Sequence, residues 1–203
     1  MLDKGENAVL AVDGKRIDTS AGTAGLGYVK TSMDGEKVRK FTATKTSDGT
    51  SWGALYARFM QNTADVESHS AGLEVRREII SGGKPVASAG SDAVFAPAVG
   101  SRVTVRITIN ADRDYDFVQV VDKRAACLEP VQQLTGYGWG YYCVSKDYTT
   151  NFYFDRMRKG THIIEKEYYV DREGSYETGT CTVQCAYAPE FMARDRSLTI
   201  KVR

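Results

Sequence analysis

Apolar and polar residues alternate with a period of two along much of this chain. Val103, Val105, Ile107 and Ile109 interleave with Arg102, Thr104, Arg106 and Thr108, and Leu198, Ile200 and Val202 interleave with Ser197, Thr199, Lys201 and Arg203. Successive side chains of a strand point to opposite faces, so each run predicts a strand with one buried face. Residues 73–81, 117–123, 152–155, 163–170 and 180–187 predict further strands. Segments 110–113, 158–160 and 171–174 lie between them and supply the Asn, Asp and Gly that turns require. Many short strands with regular turn signals predict an antiparallel β-sandwich.

The first third is less regular. Residues 8–12, 25–31 and 37–46 read as strands broken by Asp13-Gly14, Asp34-Gly35 and Asp48-Gly49, which are hairpin or turn dipeptides. Segment 54–61 (ALYARFMQ) would pass as a short helix on propensity alone. The polar stretch 62–72 (NTADVESHSAG) reads as a linker, and 82–101, rich in Gly, Ala, Ser and Pro, as a loop inside a second domain. The expected domains are therefore 1–72, ending in the linker, and 73–203.

At 203 residues the chain holds one large or two small domains. With 27 basic against 26 acidic residues, interspersed along the chain, the formal charge is +1. No field therefore draws it to nucleic acid or to an anionic membrane. No apolar run approaches the ~20 residues of a membrane span. Asp3, Glu6 and Asp13 fall where a signal peptide would be apolar, so no signal peptide is expected in the sequence as it stands.

Candidate chemistry is sparse. The four cysteines, Cys127, Cys143, Cys181 and Cys185, lack zinc-ligand spacing, and the two histidines, His69 and His162, are remote from them. On one strand, Cys181 and Cys185 would stand ~13 Å apart, too far for a disulfide. Any bridge would have to reach Cys127 or Cys143; the other reading is four buried free thiols. Neither histidine lies in a nucleophile-elbow or papain-like context, and a hydrolase reading would rest on His162 with Glu165. Asp112, Asp114 and Asp116 alternate as calcium ligands do, but the segment lacks the glycine and terminal glutamate of an EF-hand loop and reads as a solvated turn. No catalytic residue, metal or cofactor is assigned.

Two aromatic segments stand out. GYGWGYYC at 136–143 places Tyr137, Trp139, Tyr141 and Tyr142 together, a stacking platform for sugars, a protein-binding patch, or rings that close one end of the sandwich. AYAPEF at 186–191 contains Pro189, which cannot donate to a ladder, so the strand before it must end or reach an edge there.

Three stretches together resemble the last macroglobulin-like domain of the bacterial alpha-2-macroglobulin family. They are Asp122, Arg124, Ala125, Glu129 and Pro130; then Asn151, Phe152, Phe154, Asp155, Lys159, Gly160 and Thr161; then Gln184, Tyr187, Ala188, Pro189, Glu190 and Phe191. More weakly, 24–33 (AGLGYVKTSM) and 51–61 (SWGALYARFMQ) resemble the second half of the CUB-type domain of the same family, which makes 54–61 a strand. The resemblance implies an all-β chain: a partial CUB-like sheet region over 1–72 and an immunoglobulin-like macroglobulin sandwich over 73–203.

It also implies a non-enzymatic role, as the C-terminal module of a periplasmic or cell-surface inhibitor. Such an inhibitor traps target proteases when cleavage of a bait segment exposes a thioester. No C-x-E-Q thioester motif occurs in this sequence. The implied partner is the neighbouring thioester-type domain, met by Tyr187, Glu190 and Phe191 together with Tyr141 and Tyr142. Related proteins often carry Met before the tyrosine of this motif, and Ala186 stands there here. The alternative is an aromatic-lined glycan- or protein-binding module acting on its own, with no nucleic acid partner and no membrane insertion.

Overall fold

Period-two patches and turn dipeptides become antiparallel sheets in the computed structural model, which describes residues 8–19, 29–88, 94–138 and 140–203. The chain divides into two units, Met1–Met60 and Gln61–Arg203. In the first, β1 (Val9–Val12), β2 (Lys15–Arg16) and β3 (Phe41–Thr44) form a three-stranded sheet in the order β2-β1-β3. The Asp13-Gly14 dipeptide makes the β1–β2 turn with positive φ at both residues, 48° and 80°, the geometry that suits the twist of a hairpin. The Asp13 carboxylate then accepts the backbone N–H of Lys40 at 2.7 Å and of Arg39 at 3.1 Å, tying β3 to the turn.

Two first-third expectations change. Residues 51–60 form neither helix nor strand and are exposed throughout, because among the described residues no neighbouring strand pairs with them. Of the strand expected at 25–31, residues 25–28 lie outside the described residues, and 29–31 have no regular structure.

The second unit is the sandwich. Its strands are β4 (His69–Ala71), β5 (Leu73–Ser81), β6 (Lys84–Ser88), β7 (Arg102–Ala111), β8 (Tyr115–Lys123), β9 (Leu128–Pro130) and β10 (Gly136–Gly138). They continue as β11 (Tyr141–Ser145), β12 (Thr149–Met157), β13 (Gly160–Val170), β14 (Gly174–Glu177), β15 (Cys181–Cys185), β16 (Met192–Asp195) and β17 (Thr199–Val202). One sheet has the order β10-β11-β12-β8-β15-β16-β4, the other β6-β5-β7-β13-β9, and β14 pairs with β17. All their ladders are antiparallel; an isolated parallel bridge joins Phe95 to Ile200. β4 lies within the expected linker and serves as an edge strand, and β6 forms inside the expected 82–101 loop. Its Pro85 is tolerated because β6 is also an edge.

Alternation decides the core. From β5, β7 and β13 it takes Leu73, Ile79, Val103, Val105, Ile107, Ile109, Ile164 and Tyr168. From the other sheet come Val118, Val120, Phe152, Phe154, Met157, Val183 and Ala193. Each fully buried aliphatic or Phe side chain among them stabilises the fold by about 1.5–3 kcal/mol.

The same alternation carries charge inward. Arg77 occupies an inward position of β5 between Val75 and Ile79, and Asp122 an inward position of β8 after Val118 and Val120. The Arg77 guanidinium donates to Asp122 Oδ1 (2.8 Å), Thr178 Oγ1 (2.6 Å) and the carbonyls of Lys123, Gly179 and Arg196 (2.9, 2.6 and 3.0 Å). Asp195, also buried, accepts the Arg77 backbone N–H at 2.6 Å. Burial works most strongly against the Arg77 charge, but Asp122, Cys181 and Asp195 together outweigh it and the pKa is raised. Burial pushes the Asp122 carboxyl up, with Arg77 pulling the other way.

Candidate functional site

The turn between β15 and β16 is built by residues 186–191; the ladder ends at Cys185, and Pro189, which has no N–H to donate, lies within the turn. The turn closes through Cys185 N–H to Phe191 O and Phe191 N–H to Ala188 O, each at 3.0 Å. The Gln184 amide donates to Pro189 O at 3.2 Å, and Ala186 N–H donates to Phe117 O at 2.8 Å, which anchors the turn to β8.

Two candidate aromatics of this turn take opposite environments. Tyr187 is 82% exposed and, among the described residues, meets one other ring, Phe117, edge-on at 5.2 Å. Phe117 is itself 52% exposed and has a φ of 54°, a conformation costly for a residue with a bulky side chain. Phe191 is half-buried: it packs on Tyr115 with ring centres 5.4 Å apart, and the Arg113 guanidinium lies over its ring at 5.3 Å. Gly72 lies against this pair with φ +75°, and a Cβ there would collide with both Tyr115 and Phe191. Tyr115 is buried, which pushes its phenol up to about 12, and it donates to Asp112 at 2.5 Å. Glu190 is exposed.

Tyr141 and Tyr142 also separate, because neighbours on a strand face opposite ways. Tyr141 turns inward and packs at 5.3 Å from both Phe152 and Phe154, and burial raises its pKa. Tyr142 turns outward against Tyr137 at 4.9 Å, and Trp139 lies outside the described residues. Register then extends a row across the sheet from Tyr142 to Tyr153, Gln119 and Gln184, ending at the base of the Tyr187 turn. The Gln119 and Asn151 amides both donate to the Tyr153 hydroxyl, at 3.4 and 3.3 Å. Of the five candidate residues, Tyr187, Glu190 and Tyr142 are thus presented to solvent, fully or in part, while Phe191 and Tyr141 support them from within. The sequence reading missed Phe117, Tyr153 and Gln119, although outward alternation on β8 and β12 was a usable signal.

This outer face carries neutral side chains along its central row. The outer face of the five-stranded sheet is instead laced with charge, through Arg106–Glu165 at 2.6 Å and Arg76–Glu78 at 2.9 Å. Depletion of charge with enrichment of tyrosine characterises the centre of protein interfaces.

Other candidate chemistry resolves into structure. His162 and Glu165 differ by three positions on one strand and so point to opposite faces. The His162 ring sits 2.7 Å from Arg158 O, while Glu165 pairs with Arg106. Asp112 pairs with Arg113, and Asp114 with Arg156 and the Lys159 N–H. Among the described residues no group of three or more His, Cys, Asp or Glu is placed to hold a metal ion. The four cysteines are free and buried, and burial raises the Cys127 thiol to about 11. No helix among the described residues is long and apolar enough to cross a membrane.

A family model described as the bacterial alpha-2-macroglobulin MG10 domain matches residues 72–190. No curated protein matches the chain. Among solved structures, Salmonella alpha-2-macroglobulin reacted with methylamine is similar at 20% identity over 67% of this chain and 10% of its own, with a TM-score of 0.55. Trypsin-activated alpha-2-macroglobulin from Escherichia coli is similar at 16% identity over 68% of this chain and 11% of its own, with a TM-score of 0.56. An Escherichia coli alpha-2-macroglobulin piece from domain MG7 to the C-terminus is similar at 16% identity over 66% of this chain and 24% of its own, with a TM-score of 0.53. The likeness shows a shared fold, and it spans about a tenth of the first two proteins.

Proposed function

The chain belongs to the bacterial alpha-2-macroglobulin family, and from that premise we propose that it is a non-enzymatic C-terminal module of a protease-trapping inhibitor. Its contact with the neighbouring thioester-type domain holds the uncleaved state. Residues 1–72 are the partial CUB-like region with its linker, from which the sandwich recruits β4, and 73–203 are the macroglobulin-like domain. The parent protein works in the periplasm or at the cell surface and meets its target proteases there.

The observation that carries this reading is the exposure of Tyr187. A tyrosine 82% open to solvent, held on a proline-containing turn by two backbone hydrogen bonds and braced by Phe117, has no role in the core of its own domain. Its exposure supports a role as an aromatic anchor, the kind of side chain that dominates binding energy at interfaces. Phe191 and Tyr141 act from beneath, by fixing the turn and the hairpin. The contact is a weak, breakable one by design, since a module that must move after cleavage needs an interface that two states can share.

The test is association between this chain and the thioester-type domain of the same parent, measured by calorimetry. Tyr187→Ala should weaken it by about 2 kcal/mol or more if Tyr187 is a central anchor. Unchanged affinity in that folded variant would end the proposal.

A further inference from the structure

The hydrogen-bond parity of β13 leaves one side of the five-stranded sheet open. At its C-terminal end, Val170 N–H donates to Ser101 O at 2.9 Å and Gly100 N–H donates to Val170 O at 2.8 Å, so Val170 bonds toward the β7 side. On the other side, Asp171 N–H donates to Cys127 O and Val131 N–H donates to Glu167 O, both at 3.0 Å. Even-numbered residues of β13 therefore bond to β7, and odd-numbered ones face away from it. Pro130 fits this parity, since it stands opposite Tyr168 and has no N–H to offer. The β13–β7 register runs without a shift from Gly160 to Tyr169, while β9 pairs with Tyr168–Val170 and Val131 after it bonds Glu167.

Thr161, Ile163 and Glu165 consequently turn three N–H and three C=O groups to the outside, with no partner among the described residues. This edge runs for about 14–17 Å at ~3.4 Å per residue. The side chains along it have a definite chemistry. Ile163 is 60% exposed on the outer face. Ile164 and Lys166 take inward positions, with Ile164 buried and Lys166 half-buried. No carboxylate among the described residues pairs with Lys166.

We propose that the free edge of β13 accepts an extended segment of another polypeptide as an added antiparallel strand, with an acidic side chain of that segment meeting Lys166. Backbone complementarity defines the partner as a strand, and the unpaired inward lysine defines its charge. This surface is separate from the Tyr187 turn and does not rest on the domain-contact reading. The opposing view is that Lys166 guards the edge, since inward charges are one way proteins discourage strand addition.

The two views predict opposite signs. The probe is an acetylated and amidated hexapeptide, Glu-Thr-Val-Ile-Thr-Thr, whose glutamate falls opposite Lys166 and whose isoleucine falls opposite Ile163. Amide hydrogen exchange by NMR on the whole chain should show fast exchange at Thr161, Ile163 and Glu165 and slow exchange at His162 and Ile164. The peptide should slow the fast three. N-methylation of the second and fourth peptide residues, whose amides face the edge, should weaken binding at least tenfold, and methylation of the third and fifth should not. Lys166→Ala should weaken binding severalfold. The proposal is overturned if the three amides are already protected in the free chain, whether by its own residues or by a second copy. Unchanged exchange at millimolar peptide, or stronger binding to Lys166→Ala, overturns it equally.

Discussion

The guanidinium of Arg77, on the five-stranded sheet, donates to Asp122 Oδ1 on the seven-stranded sheet at 2.8 Å, and both side chains are buried. The pair pins the two halves of the sandwich at one point. Five hydrogen bonds from one guanidinium also gather the segments around Lys123, Thr178, Gly179 and Arg196. Its Nε has no partner among the described residues, so the network is strong without being complete.

Removing one partner of such a pair strands the other in the core. Arg77→Met should destabilise the chain by about 3–5 kcal/mol in chemical denaturation. Arg77→Met combined with Asp122→Leu should cost clearly less than the sum of the two single changes, because no uncompensated carboxylate is then left buried. Strict additivity would show that the pair is not coupled.

Phe191 and Tyr187 should part company in stability measurements. Phe191→Ala removes the ring that packs on Tyr115 and beneath Arg113, and thermal melting should reveal a loss of about 2–3 kcal/mol, at or below the low end for buried Phe because the ring is half-buried. Tyr187→Ala removes an exposed ring and should fall within about 0.5 kcal/mol of the parent chain. Equal losses would place Tyr187 in the fold's support.

The Lys159 N–H and then the Arg156 guanidinium hold the Asp114 carboxyl below the usual carboxylate range. A folded-state pKa below the unfolded value of about 3.9 means that the stabilisation is fully present above that value. It is lost as pH falls through the lower, folded value. Asp114→Asn should therefore be less stable than the parent at neutral pH, and the gap should close below about pH 4. A gap independent of pH, followed by denaturation across pH 2–7, would rule out this ionic contribution.

All four thiols are buried, and burial raises Cys127 to about 11 and carries Cys181 well above the ordinary range. The thiolate is the reactive form, so the folded chain should react negligibly with a disulfide reagent at pH 8. Four equivalents should appear on unfolding, and fewer would reveal a bridge. Cys181 and Cys185 share the inner face of β15, consistent with the spacing argument against a bond between them.

Strand existence was legible wherever one face met the core and the other met water, because burial on one side imposes the period of two on the residues themselves. β5, β7, β8, β13 and β17 follow that pattern closely enough to be read from the chain. The turns at Asp13-Gly14 and Pro189 were legible for a similar reason: only certain residues adopt or force that backbone. The family motif around Tyr187 was visible as well.

Which face each aromatic occupies was decided by tertiary structure. Tyr141 and Tyr142 are neighbours of the same type, and only the phase of β11 against β12 sends one into the core and the other outward. Arg77 reads locally as one more charged residue beside Arg76; its burial became possible only when Asp122, Thr178 and three carbonyls from distant segments converged on it. Short edge strands such as β4 and β6 carry too few side chains to show a period and exist because a neighbouring strand offers them hydrogen bonds. Residues 51–60 show the converse: the strand that the resemblance implied there did not form where, among the described residues, no ladder partner was present. Sequence determines which residues prefer burial and which backbones can turn; pairing between distant segments determines the rest, because hydrogen bonds and desolvation depend on partners that a linear reading does not place side by side.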